Sequence, residues 1–368
     1  MTMVPHSPVR ILALGALFED TILTLPRYPL EDTKLRAHSR STRIGGNTIN
    51  MFEVLHQLSP HVECVFGGAV GSQDSCHWIK ESLEKQGIQS HLIFRETALD
   101  PGPATSTIIC TQDTGSRTIV TCGNGIDEPS GQEILDTFLP QTTGPNWIHI
   151  EGRNCRAVHE FLTVYLGDTS ENRPCISLDL ERPREGMELL VKYADVVFVS
   201  HNYALDLANI PGKERNSTED SDPTILARLL CEYLKGIGLR DSTVVYYTLG
   251  EKGCMLLRTS SNYTDLNLPT GSKFGKLSVI ASLWNYVWID AVNVDKEKVV
   301  ETVGAGDVFQ AGVLHTLLDI HNTDQNFDLL PKSLLPWIRA GQVGSRVAAA
   351  KIQQRGFRRL CIPPNNGK

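Results

Sequence analysis

No apolar stretch in this chain is long enough to span a bilayer as a helix. A secretory signal is not expected either, because the run Ile11 to Phe18 is too short and leads into Glu19 and Asp20. There is no excess of basic charge: 35 Lys and Arg stand against 42 Asp and Glu, a formal net charge of −7. That argues against broad nucleic-acid binding, which wants a basic face. The nine cysteines include no Cys-x-x-Cys pair, so neither a zinc site nor a disulfide framework is indicated. Reduced thiols in a cytoplasmic protein are the simplest account. Asn216-Ser217-Thr218 and Asn262-Tyr263-Thr264 match the glycosylation sequon, but without an export signal both read as chance. No internal repeat and no second hydrophobic unit is present, so the 368 residues are expected to form one domain. The hydrophobic content of 41% and charged content of 21% are ordinary for a globular protein.

Against this background one stretch stands out, Glu301-Thr302-Val303-Gly304-Ala305-Gly306-Asp307. Small residues let the backbone turn tightly and leave its amides open to a ligand. Phe309, Val313, Leu317 and Ile320 follow at helical spacing. The amides of Gly304, Ala305 and Gly306 are therefore placed at a helix N-terminus, where free donors and the helix dipole favour an anion. Asp307 in the first turn would repel a phosphate there. General-base work on an attacking hydroxyl gives it a reason to be present; an acidic first turn that merely caps a helix is the alternative.

Val9 to Phe18 is nearly all apolar and reads as a strand buried on both faces, with Asp20 just beyond its end, where open parallel sheets bind ligands. Residues from Pro26 to Ile44 are polar and irregular, a surface flap. Gly45-Gly46 follows, with Asn47 as N-cap of a helix carrying Ile49, Phe52, Leu55 and Leu58. Asn47 and Asn50 can each donate and accept, which suits a polyhydroxylated substrate. Ala104 to Thr111 and Arg117 to Cys122 read as a hairpin projecting from the main sheet, with apolar Ile108, Ile119 and Val120 on it as surface for a second copy to cover. Trp147 to Ile150, Cys175 to Leu180, Asp195 to Ser200 and Thr243 to Gly250 read as further strands, and Ile210 to Asp222 as a mobile loop. Glu151 is open to two readings, a substrate- or water-orienting carboxylate or a structural partner of Arg153. Trp337 to Gln353 is a small-residue helix suited to close packing.

Thr302 to Asp307 resembles the C-terminal signature of the ribokinase-like (PfkB) sugar kinases, Asp-Thr-x-Gly-Ala-Gly-Asp, and Gly45-Gly46-Asn47-Thr48-Ile49-Asn50 resembles their Gly-Gly-Asn-x-x-Asn. Trp147 to Asn154, Glu181 to Glu185 and Ala194 to Ser200 resemble the ketohexokinase (fructokinase) branch of that family. The resemblance implies a three-layer α/β/α fold with a mostly parallel central sheet and a small β lid, formed by residues 20–45 and 104–122. It implies transfer of the γ-phosphoryl of ATP, with Mg²⁺, to a primary hydroxyl of a small sugar. A ketohexose such as fructose leads; another sugar, a nucleoside or a catalytically silent binding relative stand behind it. Phe18 and Phe52 are the nearest aromatics to stack on a nucleoside base, which ranks that acceptor below a sugar.

Under this resemblance Asp307 is the base, with Gly304, Ala305 and Gly306 as the anion hole. Asp20, Asp32, Gly46, Asn47, Asn50 and Arg117 hold the sugar. Thr248, Gly250, Gly253, Thr302, Gly304, Gly306 and Ser345 hold the nucleotide, and the lids pair two chains into a homodimer. The sequence departs from the family pattern at three places. Glu301 stands for the usual Asp, which leaves a monovalent-cation site open. Ser200-His201-Asn202-Tyr203 lacks the Asn-x-x-Glu that orders Mg²⁺, so no metal ligand is assigned. The third departure is at the flanks of the first glycine pair, which differ from ketohexokinase and leave a sugar other than fructose open. Separately, 259–298 is an insertion of unassigned role.

Overall fold

The computed structural model describes residues 9–96, 101–138, 144–167, 173–208, 222–259, 278–281, 284–323 and 333–363. In chain order its strands are β1 Val9–Leu14, β2 Phe18–Leu25, β3 Ser39–Gly45, β4 Val62–Val70, β5 Ile88–Phe94, β6 Thr105–Thr111, β7 Arg117–Cys122, β8 Trp147–Ile150, β9 Cys175–Leu180, β10 Val196–Ser200, β11 Val244–Thr248, β12 Cys254–Thr259, β13 Ser278–Ala281 and β14 Trp284–Ile289. The helices are α1 Asn47–Leu58, α2 Gln73–Glu84, α3 Gly131–Phe138, α4 Cys155–Leu166, α5 Met187–Val191, α6 His201–Ala208, α7 Pro223–Gly236, α8 Ala305–Thr323 and α9 Leu335–Ile352.

Ten strands form one sheet in the order β13-β14-β12-β11-β10-β9-β8-β1-β4-β5. It is parallel from β5 to β11 and antiparallel beyond. Alternate residues of one strand feed opposite cores, as the two-residue repeat demands. Ile11 and Ala13 pack into a cluster with residues of α1, α2, α8 and α9, whereas Leu12 and Leu14 join one with α3, α4, α5 and α7. The sheet is thus covered on both faces, and the ends of β1, β8 and β9 converge near the start of α8.

The lid is larger than a hairpin. A second sheet runs β3-β2-β6-β7, so the flap from Pro26 to Ile44 includes a paired strand. The apolar run Val9 to Phe18 is broken rather than continuous, because β1 stops at Leu14 and β2 starts at Phe18. Gly15 marks the break: a Cβ there would lie 2.3 Å from Glu151 Oε2 and 2.4 Å from Thr48 Oγ1. Asp20 consequently sits inside a lid strand, not beyond the end of β1. Much of the 259–298 segment and the loop read at 210–222 lie outside the described residues. Within the described part of the first, β13 and β14 extend the sheet beyond β12.

Candidate active site

Two helix starts meet at the site. Gly304 adopts φ +74°, and a Cβ on it would lie 2.4 Å from the Phe357 ring, so both conformation and space require glycine. The chain then enters α8, with the Val308 amide donating to Gly304 O at 3.0 Å. Asp307 is buried in the first turn. At the other helix, Gly46 holds φ +117° against the Ala16 carbonyl, and α1 begins. Asn50 in its first turn donates Nδ2–H to Asp307 Oδ2 at 2.8 Å, joining two segments 257 residues apart.

Asn47 is not the cap. Gly46 occupies that position without a side-chain cap, and Asn47 Nδ2 donates instead to Glu181 Oε2 at 3.0 Å. Glu181, Glu151 and Asp179 crowd the same end of the sheet. Burial first, then Glu181 and Glu151, push the Asp307 carboxyl up to about 7, while the Asn50 hydrogen bond and Arg117 oppose the shift. Asp179, hydrogen-bonded by Gln310, is raised well above the carboxylate range by burial and by its acidic neighbours. Glu151 is a brace: it accepts from the Ala16 amide at 3.0 Å, Thr48 Oγ1 at 3.2 Å and Arg153 Nε at 2.7 Å.

Asp20 lies next to Gly45, where a Cβ would come within 2.0 Å of its Oδ2. In register it sits between Arg43 and Ser106. Burial raises its pKa, with Arg43 and Ser106 holding it down. Arg117, the first residue of β7, donates Nη1–H to Thr302 Oγ1 at 3.0 Å, so the lid reaches the glycine turn itself. Asp32 stands exposed on a lid turn at φ +58°, and no described hydrogen bond or ion pair joins it to the others.

The residues expected at the nucleotide lie on separate elements. Thr248 ends β11, its hydroxyl donating to Val199 O at 3.1 Å. Gly250 and Gly253 shape the β11–β12 turn at φ +59° and +98°, Gly253 pressed against Ile289 and Ala291. Ser345 is buried in α9. Among the described residues no hydrogen bond connects these four to the 302–307 turn.

Sequence reasoning passed over Arg43 and Lys351. Lys351 is wholly buried in α9, 3.5 Å from Glu301 Oε2. A lone cation in the apolar run from Val347 to Ile352 was the available signal for it. For Arg43 the signal was its place beside the first glycine pair.

The sequence profile of the pfkB family carbohydrate kinases matches residues 10–270 and 288–364. Mouse ketohexokinase is 29% identical over 210 residues, 56% of this chain and 68% of that protein. Ribokinase from Giardia lamblia superposes with a TM-score of 0.70 at 16% identity, over 95% of each chain. Adenosine kinase from Sinorhizobium meliloti does so with a TM-score of 0.64 at 17% identity, over 97% of each chain. At those identities the two structures speak for the fold, a ribokinase-like α/β fold.

Proposed function

Because this chain belongs to the pfkB family of carbohydrate kinases, an ATP-dependent phosphotransferase family, we propose that it phosphorylates a primary hydroxyl of a small ketose. The observation that carries this reading is the Asn50–Asp307 hydrogen bond, which brings the two glycine signatures to one point. The acceptor hydroxyl lies at Asp307, which takes its proton as the oxygen attacks the γ-phosphorus and ADP departs. The amides of Gly304 and Gly306 hold the phosphoryl oxygens through the charge build-up, a contribution of roughly 3 kcal/mol per donor; the Ala305 amide, expected beside them, donates instead to Thr302 O at 3.3 Å. Arg117, tied to Thr302, brings a guanidinium to the same turn. Asn47, Asn50, Gly46 and Asp20 position the sugar, and the lid excludes water as a rival acceptor. The ketose assignment follows the likeness to mouse ketohexokinase. Thr248, Gly250, Gly253 and Ser345 remain the residues proposed for the nucleotide.

Mg²⁺ is expected to arrive with the nucleotide. Among the described residues no three acidic, His or Cys groups are placed to hold a bare ion. A half-buried carboxylate among other acids does suit a hydrated ion shared with phosphates, and Glu181 is that group. Bound there, the ion would neutralise phosphate charge.

A panel of ketoses, aldoses and nucleosides assayed for ATP-dependent phosphorylation tests the reading. A nucleoside as the only acceptor would overturn it. Asp20→Ala is expected to weaken sugar binding by about 1–3 kcal/mol, the cost of an unpaired buried polar group. ATP binding measured by calorimetry without sugar should barely change. Loss of ATP binding instead would place the two ligands at the wrong ends of the cleft.

A homodimer through the lids completes the proposal. β7 is one of the two edge strands of the lid sheet, with Ile119 and Val120 at 48% and 59% exposure and Leu30 at 70% nearby in sequence to β2. Open edges invite pairing. Ile108, an apolar lid residue expected at such an interface, is buried inward and takes no part. Ile119→Glu with Val120→Glu should give a folded monomer with reduced turnover. Sedimentation that finds the parent protein monomeric and fully active would refute lid pairing.

A further inference from the structure

Between the lid sheet and the segment after α9 lies a cavity of about 690 Å³. Its charged lining is four arginines, Arg40, Arg43, Arg355 and Arg358, against two carboxylates, Glu53 and Glu301. Glu301 is already met by Lys351. Arg43 is the innermost of the four. It is the direct register partner of Asp20 across β2 and β3, and such partners point to the same face of a sheet. Its Nε stands in a long ion pair with Asp20 Oδ2, 3.6 Å away and beyond hydrogen-bond reach. The guanidinium lies over the Phe357 ring at 4.4 Å, and Phe357 backs Gly304. All three of its nitrogens are shielded from solvent and make no hydrogen bond. Shielded donors of a charged group without acceptors are costly, so they call for a partner. A planar guanidinium fork matches a carboxylate or a phosphate.

These contacts follow one line. Asp307 bonds to Asn50, the first turn of α1 leads back to Gly46 and Gly45, Gly45 abuts Asp20, and Asp20 faces Arg43. An acceptor whose hydroxyl sits at Asp307 and whose body lies along Asn50 and Asp20 ends at Arg43, with the remaining arginines behind. We infer that the acceptor is an anionic sugar, carrying a carboxylate or a phosphate monoester at the end opposite the hydroxyl to be phosphorylated, and that Arg43 is the residue that selects it. The inference rests on the kinase reading above and narrows its substrate class.

Calorimetry on the full chain with D-fructose, D-fructose 6-phosphate and 2-keto-D-gluconate tests it, since each anion leaves a primary hydroxyl free at its far end. At least one anion should bind about 10- to 150-fold tighter than fructose, the ratio equivalent to a charge-assisted hydrogen bond. Which one binds tells phosphate from carboxylate. Arg43→Gln should abolish the ratio, and Arg43→Lys, which keeps the charge but not the fork, should retain part of it. Fructose binding as tightly as both anions, or a ratio unchanged in folded Arg43→Gln, overturns the inference. Turnover separates the two claims. Preferential anion binding with no ATP-dependent phosphorylation of any of the three would sink the kinase reading and leave the anion site standing. Phosphorylation of fructose without anion preference would do the reverse.

Discussion

Replacing Asp307 by asparagine is expected to lower turnover by about two to four powers of ten, the range of general-base assistance, while sugar and ATP still bind. The same change should stabilise the protein. The carboxyl has a pKa of about 7 in the fold against an ordinary value of 3.8. Between those values the folded chain keeps a proton that the unfolded chain has released, so this group makes stability fall as pH rises from about 4 to about 7. Above that window the buried carboxylate costs on the order of 4 kcal/mol. Asparagine escapes this cost and can still face Asn50. Denaturant titration at neutral pH should show a higher midpoint for Asp307→Asn, and the difference should vanish near pH 4. The pH profile gives an independent check. In the free enzyme kcat/KM should rise with pH through about 7, as the base loses its proton. Asn50→Leu removes the hydrogen bond that favours the carboxylate and should move that limb to higher pH. Turnover of Asp307→Asn within tenfold of the parent would remove Asp307 from the role of base.

The two glycine signatures were legible in the sequence because their requirement is local. A backbone that must turn at positive φ with no room for a Cβ writes itself as glycine, as at Gly46 and Gly304. The parallel strands were legible for a similar reason, since burial on both faces leaves continuous apolar runs. What escaped was set by contacts far along the chain. Nothing near Gly15 says that Glu151 and Thr48 fill the space beside it and end β1. The lid strands β2 and β3 are half exposed and carry no apolar run, so their pairing was invisible. Asn47 looked like a cap because capping residues and ligand-binding residues are the same types; Glu181, 134 residues away, claimed its amide. Ile108 and Val120 read alike as apolar lid residues, yet only the register decides which faces inward.

The buried pair behind the glycine turn leads to the second large effect. Glu301 Oε2 accepts the Gly356 amide at 2.8 Å and lies 3.5 Å from Lys351 Nζ, and the Lys351 ammonium also reaches the Glu301 carbonyl at 3.4 Å and stands 5.0 Å from the Phe357 ring centroid. The amides of Val300 and Glu301 both donate to Ile352 O, at 2.7 and 3.2 Å. The stretch of chain that enters the 302–307 turn is thereby fastened to the end of α9, and Phe357 closes over Gly304. Burial lowers the Lys351 pKa and Glu301 opposes that shift, so the charge on the lysine leans on the glutamate. Lys351→Met leaves Glu301 buried without its countercharge and should cost roughly 3–5 kcal/mol of stability. Adding Glu301→Gln removes the orphaned charge, and the double variant should recover most of that loss. Turnover should fall in the single variant beyond what its unfolded fraction explains, because the proposed anion hole at Gly304 and Gly306 acts only when its amides are held in place. Equilibrium denaturation of the parent, both single variants and the double variant gives the coupling energy directly. A coupling near zero would mean that the turn is held by its backbone bonds to Ile352 alone, and that Lys351 is merely tolerated in the core.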